Sequence, residues 1–179
     1  MQATSKVERG GQSNWQIDPQ HTSVTFSVTN LFVFKVRGSF PDLAGTIVLD
    51  EADIHGSSVE ARLQAASIST KNRQRDAHLR GRDFLDVERY PEIFFRSTKV
   101  EPGIDRDTLK VTGDLTIKDK TRPVVLAVEV IDRSRSPQGE EVVYYTATTK
   151  LNRFDFGVKG APLITGRELA VVINVQAVR

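Results

Sequence analysis

The chain has 179 residues, 39% of them hydrophobic and 27% charged, with a formal net charge of +2 and no cysteine. That length favours one domain, and the composition is that of an ordinary globular protein and not of a disordered chain. Without cysteine there can be no disulfide, no thiolate catalysis and no cysteine-held metal. No apolar run reaches the roughly 18–20 residues of a membrane-spanning helix, and the charges are too interspersed for a nucleic-acid surface.

Residues 1–14, MQATSKVERGGQSN, lack the apolar centre of a signal peptide and read as a flexible N-terminal arm, leaving one domain over 15–179. The chain as given therefore points to the cytoplasm, or to the periplasm if a leader has been removed. From His21 the sequence alternates. Val24, Phe26 and Val28 share one face, and Thr25, Ser27 and Thr29 the other, the period of a half-buried strand. Leu31 to Phe34 is apolar throughout, so part of it must face water, as a rim or a contact surface. Val36, Gly38 and Phe40 resume the alternation before a turn at Pro41-Asp42.

Further strands follow at Leu43–Asp50 and through Val59, Ala61, Leu63 and Ala65. Asn72 to Phe95 breaks the pattern. Thr70 or Asn72 can cap a helix there, Asp76 favours its dipole and Gly81 stops it. Strand periodicity returns at Ile93–Val100, at Leu109–Ile117, through Val124–Val130, at Val143–Leu151 and at Leu169–Ala177. About eight strands with short connections predict an antiparallel barrel or sandwich, and strands near ten residues long favour a barrel with room inside. The nine phenylalanines either fill a solid core or wall a cavity.

Catalytic signatures are missing. There is no phosphate loop, dinucleotide fingerprint, nucleophile elbow or HExxH, and no histidine pair has metal-ligand spacing. Asp76, Asp83 and Asp86 each have an arginine close in sequence, and Asp76 and Arg80 are spaced as a helical ion pair. Nothing signals a carboxyl with a raised pKa, so no enzymatic activity is expected. The same charges suit the polar mouth of an apolar cavity. Arg37, Arg75, Arg82 and Arg153 are then candidates to grip a head group, with loop-anchoring ion pairs as the alternative role.

Five segments carry a resemblance, in this order: WQIDPQHTSVTFSV, KVRGSF, RDAHLRGRDFLDVERYPEIFF, VTGDLTI with TRPVVL, and LNRFDFGV. From Trp15 to the C-terminus the chain resembles the YceI-like family of polyisoprenoid-binding, lipocalin-like proteins. The resemblance implies an all-β, extended eight-stranded antiparallel barrel with one α-helix covering an end. It also implies non-catalytic binding, storage or transport of a long-chain isoprenoid, or a fatty-acid-like lipid, in an internal tunnel, with no cofactor besides that ligand. A homodimer is a further expectation. On this reading Phe26, Val28, Phe40, Phe84, Phe94 and Phe154 are tunnel-wall candidates, with Phe32 at the rim. Arg37, Arg75, His78 and Arg82 are candidates for contacts at the head group or the closing helix. Family members commonly carry a histidine shortly after the first strand, where this chain has Asn30. The alternative function is a module that docks a protein partner through the Leu31–Phe34 rim.

Overall fold

The computed structural model describes residues 11–179. Ten strands form one antiparallel sheet: β1 (Gln12–Ile17), β2 (Ser23–Asn30), β3 (Phe34–Ser39), β4 (Leu43–Asp50), β5 (Ser58–Gln64), β6 (Glu92–Pro102), β7 (Thr108–Ile117), β8 (Lys120–Arg135), β9 (Glu141–Asn152) and β10 (Glu168–Val178). The ring β1-β4-β5-β6-β7-β8-β9-β10 closes where Gln16 meets Val178 and Ile17 meets Ala177. That is the expected eight-stranded barrel. The count of ten arises because two staves are broken. Residues 170–174 of β10 pair with β2 while its last residues pair with β1, so β1 and β2 follow one another along a single edge. In the same way β3 pairs β2 and β4 pairs β1, with Phe40–Asp42 as the joint.

The first stave starts earlier than the sequence pattern indicated. Gln12–Asn14, assigned there to the arm, lie in β1, whose inward residues Ser13, Trp15 and Ile17 are all buried. The rest of the expected arm, residues 1–10, lies outside the described residues.

Among the described residues the outer edge of β3 has no strand partner beyond a single bridge, Ser39 with Ser69. The segment after β5 fills that place. It runs through a 3-10 turn at Ala65–Ser67 into helix α1 (Arg73–Arg80). Asn72 is the N-cap, its side chain accepting from the Arg75 amide at 2.9 Å, and the helix stops at Gly81. The helix is polar and short, so its place depends on anchors and not on an apolar stripe. Asp76 supplies one, accepting from the Thr70 amide at 2.8 Å and the Thr70 hydroxyl at 2.5 Å. Arg80 supplies another, donating to the carbonyls of Ala66 and Ile68 at 2.7 and 3.1 Å.

Two apolar clusters mark the ends of the barrel. At the helix end Phe40, Ala65, Ile68, Phe84, Leu85, Ile93, Phe156 and Val158 pack together. At the other, Trp15, Leu49, Val143 and Ala177 do so. No helix among the described residues is long and apolar enough to cross a membrane.

Candidate functional site

Between the two clusters runs an internal cavity of about 320 Å³, within the ~300–1,000 Å³ range of small-molecule sites. Its wall is built by strand parity. Every second residue of β2, β7 and β10 turns inward, giving Val24, Phe26 and Val28, then Leu109, Val111 and Leu115, then Leu169, Val171, Ile173 and Val175. Aliphatic side chains dominate. Among the described residues Arg153 is the only charged one on this wall.

Three aromatic rings project into the cavity against glycines. A Cβ on Gly38 would collide with the Phe26 ring, and one on Gly113 would lie 2.5 Å from Phe95. A Cβ on Gly160 would come within 2.5 Å of Phe84. Each glycine gives up its side chain so that a facing ring can lie flat against backbone. Phe40 and Phe156 line the cavity as well, without a glycine against them among the described residues.

Of the candidates from sequence, Phe26, Val28, Phe40 and Phe84 line the cavity. Phe94 and Phe154 do not. Phe94 shares β6 with Phe95 and has the opposite parity, so it lies outside the barrel, under the guanidinium of Arg62 at 4.7 Å and that of Arg96 at 5.4 Å. Phe154 is held between Arg153 at 4.9 Å and Arg167 at 4.7 Å, while its neighbour Phe156 faces the interior. Phe32 sits on the β2–β3 turn, 94% exposed.

Four of the expected head-group residues, Arg37, Arg75, His78 and Arg82, also lie off the wall. Arg37 is exposed on β3, and Arg82 is exposed after the helix. Arg75 turns back on Thr70, donating to its hydroxyl at 2.7 Å and its carbonyl at 2.9 Å. His78 is exposed, edge-on to the outer side of Phe84 with centroids 5.1 Å apart. His21 and His55 each pair with a nearby aspartate, Asp18 at 2.7 Å and Asp53 at 2.9 Å.

Arg153, the remaining candidate, reaches the interior. It is 4% exposed, and its guanidinium donates to four carbonyls: Gly166 at 2.7 Å, Val158 at 2.8 Å, Gly160 at 2.9 Å and Thr165 at 2.9 Å. No carboxylate among the described residues pairs with it. Burial, with the Arg167 charge nearby, pushes its pKa below the usual guanidinium value. A guanidinium has five N–H donors, so four bonds leave one unspent. Beside it the backbone of Asn30 bridges to Thr165, and the Asn30 side-chain oxygen is buried with no hydrogen-bond partner. Thr165, whose carbonyl takes one of the Arg153 bonds and whose backbone bridges to Asn30, lines the cavity. Tyr145 also lines the wall, with Thr22, Ser57, Ser58 and Thr149, and burial holds its phenol pKa above the ordinary value.

A family model described as the YceI-like domain matches residues 15–177. A UPF0312 protein of Pseudomonas putida is 35% identical over 179 residues, covering 100% of this chain and 88% of that protein. Another, from Azotobacter vinelandii, is 33% identical over 160 residues, covering 89% of this chain and 83% of its own length. Among solved structures, a YceI protein of Campylobacter jejuni superposes with a TM-score of 0.73 at 28% identity, covering 84% of this chain and 89% of its own. Burkholderia cenocepacia BcnA gives 0.81 at 20% identity, covering 89% and 98%. A polyisoprenoid-binding domain from Saccharophagus degradans gives 0.66 at 10% identity, covering 91% and 97%. At that identity the last two match the fold alone.

Proposed function

This chain belongs to the YceI-like domain family, and from that premise we propose that it binds and carries a long-chain isoprenoid lipid inside the barrel, without chemistry. The observation that carries the reading is the cavity wall: it is aliphatic and aromatic along its length, with a single charged group among the described residues. Burying a methylene is worth about 0.8 kcal/mol, so a long apolar chain gains affinity in proportion to the length it inserts. The polyisoprenoid-binding neighbour of the same fold supports the ligand class.

The polar end of the ligand rests, in this reading, at Asn30 and Arg153. One spare N–H donor and one spare oxygen acceptor suit a neutral head that both gives and takes a hydrogen bond, such as an alcohol or a primary amide. A pyrophosphate would need several free donors, and Arg153 has committed four of its five to backbone.

The test is thermal unfolding with and without added polyprenol, for the native chain and for Ala61→Trp, which places an indole in the cavity. A rise in melting temperature for the native chain that is lost in Ala61→Trp supports the reading. No rise with either polyprenol or a long-chain primary amide overturns it.

A further inference from the structure

The β2–β3 turn and the loop before β10 form an exposed apolar rim at the helix end of the barrel. Leu31, Phe32, Val33 and Phe34 are 53–94% exposed, and Leu163 and Ile164 are 89% and 52% exposed. The two segments are joined by backbone: the Leu31 amide donates to the Ile164 carbonyl at 2.8 Å, and the Gly166 amide to the Thr29 carbonyl at 2.8 Å. The six side chains are therefore one surface.

The backbone there is unusual for its residues. Leu31 and Phe32 both hold positive φ, 48° and 65°, and Ala161 holds 47°. Glycine and asparagine are the residues that take this conformation cheaply, and a tight hairpin normally uses them. Here two bulky apolar residues occupy it and project into water. A solvent-facing turn gains nothing from that choice, so the strain points to a function for the tip.

Charge identifies the occupant. Lys35 and Arg37 flank one segment, and Lys159 and Arg167 the other, all four exposed. No carboxylate occurs between Thr29 and Ser39, or between Lys159 and Arg167. Among the described residues none of the four cations makes an ion pair, and the adjacent Glu168 pairs with Lys150 at 3.6 Å. Apolar tips with free cations behind them match a bilayer with anionic head groups: the tips enter the acyl boundary and the cations stay at the phosphates. The shape also disfavours a protein partner. Six apolar and four cationic side chains on protruding loops fall short of the roughly 20–30 residues a side of a standard protein interface.

We propose that this rim docks the barrel on the surface of an anionic phospholipid bilayer. The surface adjoins the cavity, since Val28 and Thr165 line the wall and Leu31 and Ile164 stand on the rim a few residues away. A docked barrel would present that end of the cavity to the membrane. Docking itself does not depend on which lipid the cavity takes.

The test is co-sedimentation with vesicles of phosphatidylcholine containing phosphatidylglycerol, and with vesicles of phosphatidylcholine alone. The native chain should partition onto the anionic vesicles, with at least a fivefold loss on the neutral ones. Phe32→Ser with Phe34→Ser should lose at least tenfold, with its melting temperature and its cavity-ligand response unchanged. Lys35→Glu with Arg37→Glu should reproduce the loss on anionic vesicles only. Failure of the native chain to sediment, or equal binding by the serine variant, overturns the proposal and leaves the cavity reading standing. Sedimentation velocity covers the remaining case: a dimer dispersed by the serine substitutions, without vesicle binding, assigns the rim to a second copy and also overturns it.

Discussion

The two ends of the barrel are closed by different means. At the end formed by Trp15, Leu49, Val143 and Ala177, strands continue to the closure and their own ladders satisfy the backbone. Near it Trp15 bonds Ser13 at 2.8 Å and Ser13 the Leu49 carbonyl at 3.3 Å, and in the short loop after β4 Asp50 accepts from the amides of Ala52 and Asp53 at 3.1 and 2.9 Å. At the helix end β3 lacks a second strand neighbour among the described residues, and irregular backbone packs against the apolar cluster. Its carbonyls and amides cannot find strand partners, so charged side chains bond them: Arg153, Arg75, Arg80 and Asp76. The difference teaches that an enclosed end built from loops spends its charges on its own backbone.

Substitutions should separate the two ends, most strongly at Arg153. Arg153→Leu leaves four carbonyls without their donor and should cost about 3–5 kcal/mol in urea unfolding. Arg153→Lys should recover little of this, because an ammonium cannot span four acceptors. A comparable cost for Arg133→Leu, an exposed arginine near the strand-closed end, would break the contrast.

Asp76→Ala should cost about 1–3 kcal/mol by orphaning the Thr70 amide and hydroxyl. Burial would push the Asp76 pKa up, but the Thr70 bonds and the charges of Arg80 and Arg75 outweigh it and hold the group below the usual carboxylate value. Its stabilisation is therefore present above the unfolded pKa of ~3.9 and is lost as the pH falls through the folded value. The gap between native and variant should be widest near neutrality and close in acid. A gap independent of pH would show that charge is not what stabilises the helix end.

Gly113→Ala should displace the Phe95 ring and cost about 1–3 kcal/mol, with a measurable loss of cavity-ligand affinity. Phe94→Ala, one residue from Phe95 but outside the barrel, should leave that affinity unchanged. The smallest effect belongs to the surface pair Arg96 and Glu60, 2.7 Å apart and well exposed, where Glu60→Gln should shift stability by less than ~1 kcal/mol.

Much of this architecture was legible in the sequence. Alternation along β2, β5, β7, β9 and β10 marks both the strands and their inward faces, and Asn72 with Gly81 bounds the helix where expected. Two kinds of information were not. The break of two staves into four strands depends on long-range pairing, which no local period records. Parity also fails at strand ends: in EIFF and NRFDF adjacent phenylalanines, or ones two apart in a 3-10 turn, point in ways the local sequence leaves open, so Phe94 and Phe154 read as wall residues although they lie outside, and Phe156, which lies inside, does not stand out. A signal for Phe95 existed in Gly113 at an inward position of β7, since a glycine there leaves room for a large neighbour across the ladder. That Arg153 reaches the wall and Arg37, Arg75 and Arg82 do not has a physical reason. Their chemistry suits an anionic head group and a loop carbonyl alike, and only the folded backbone shows which is within reach.

The central claim is that the aliphatic wall holds a lipid, and native mass spectrometry of the chain mixed with a polyprenol tests it most directly. The account predicts one adduct per barrel that survives in Phe94→Ala and disappears in Ala61→Trp. Equal adduct formation by the folded Ala61→Trp variant, or none by the native chain, would contradict it.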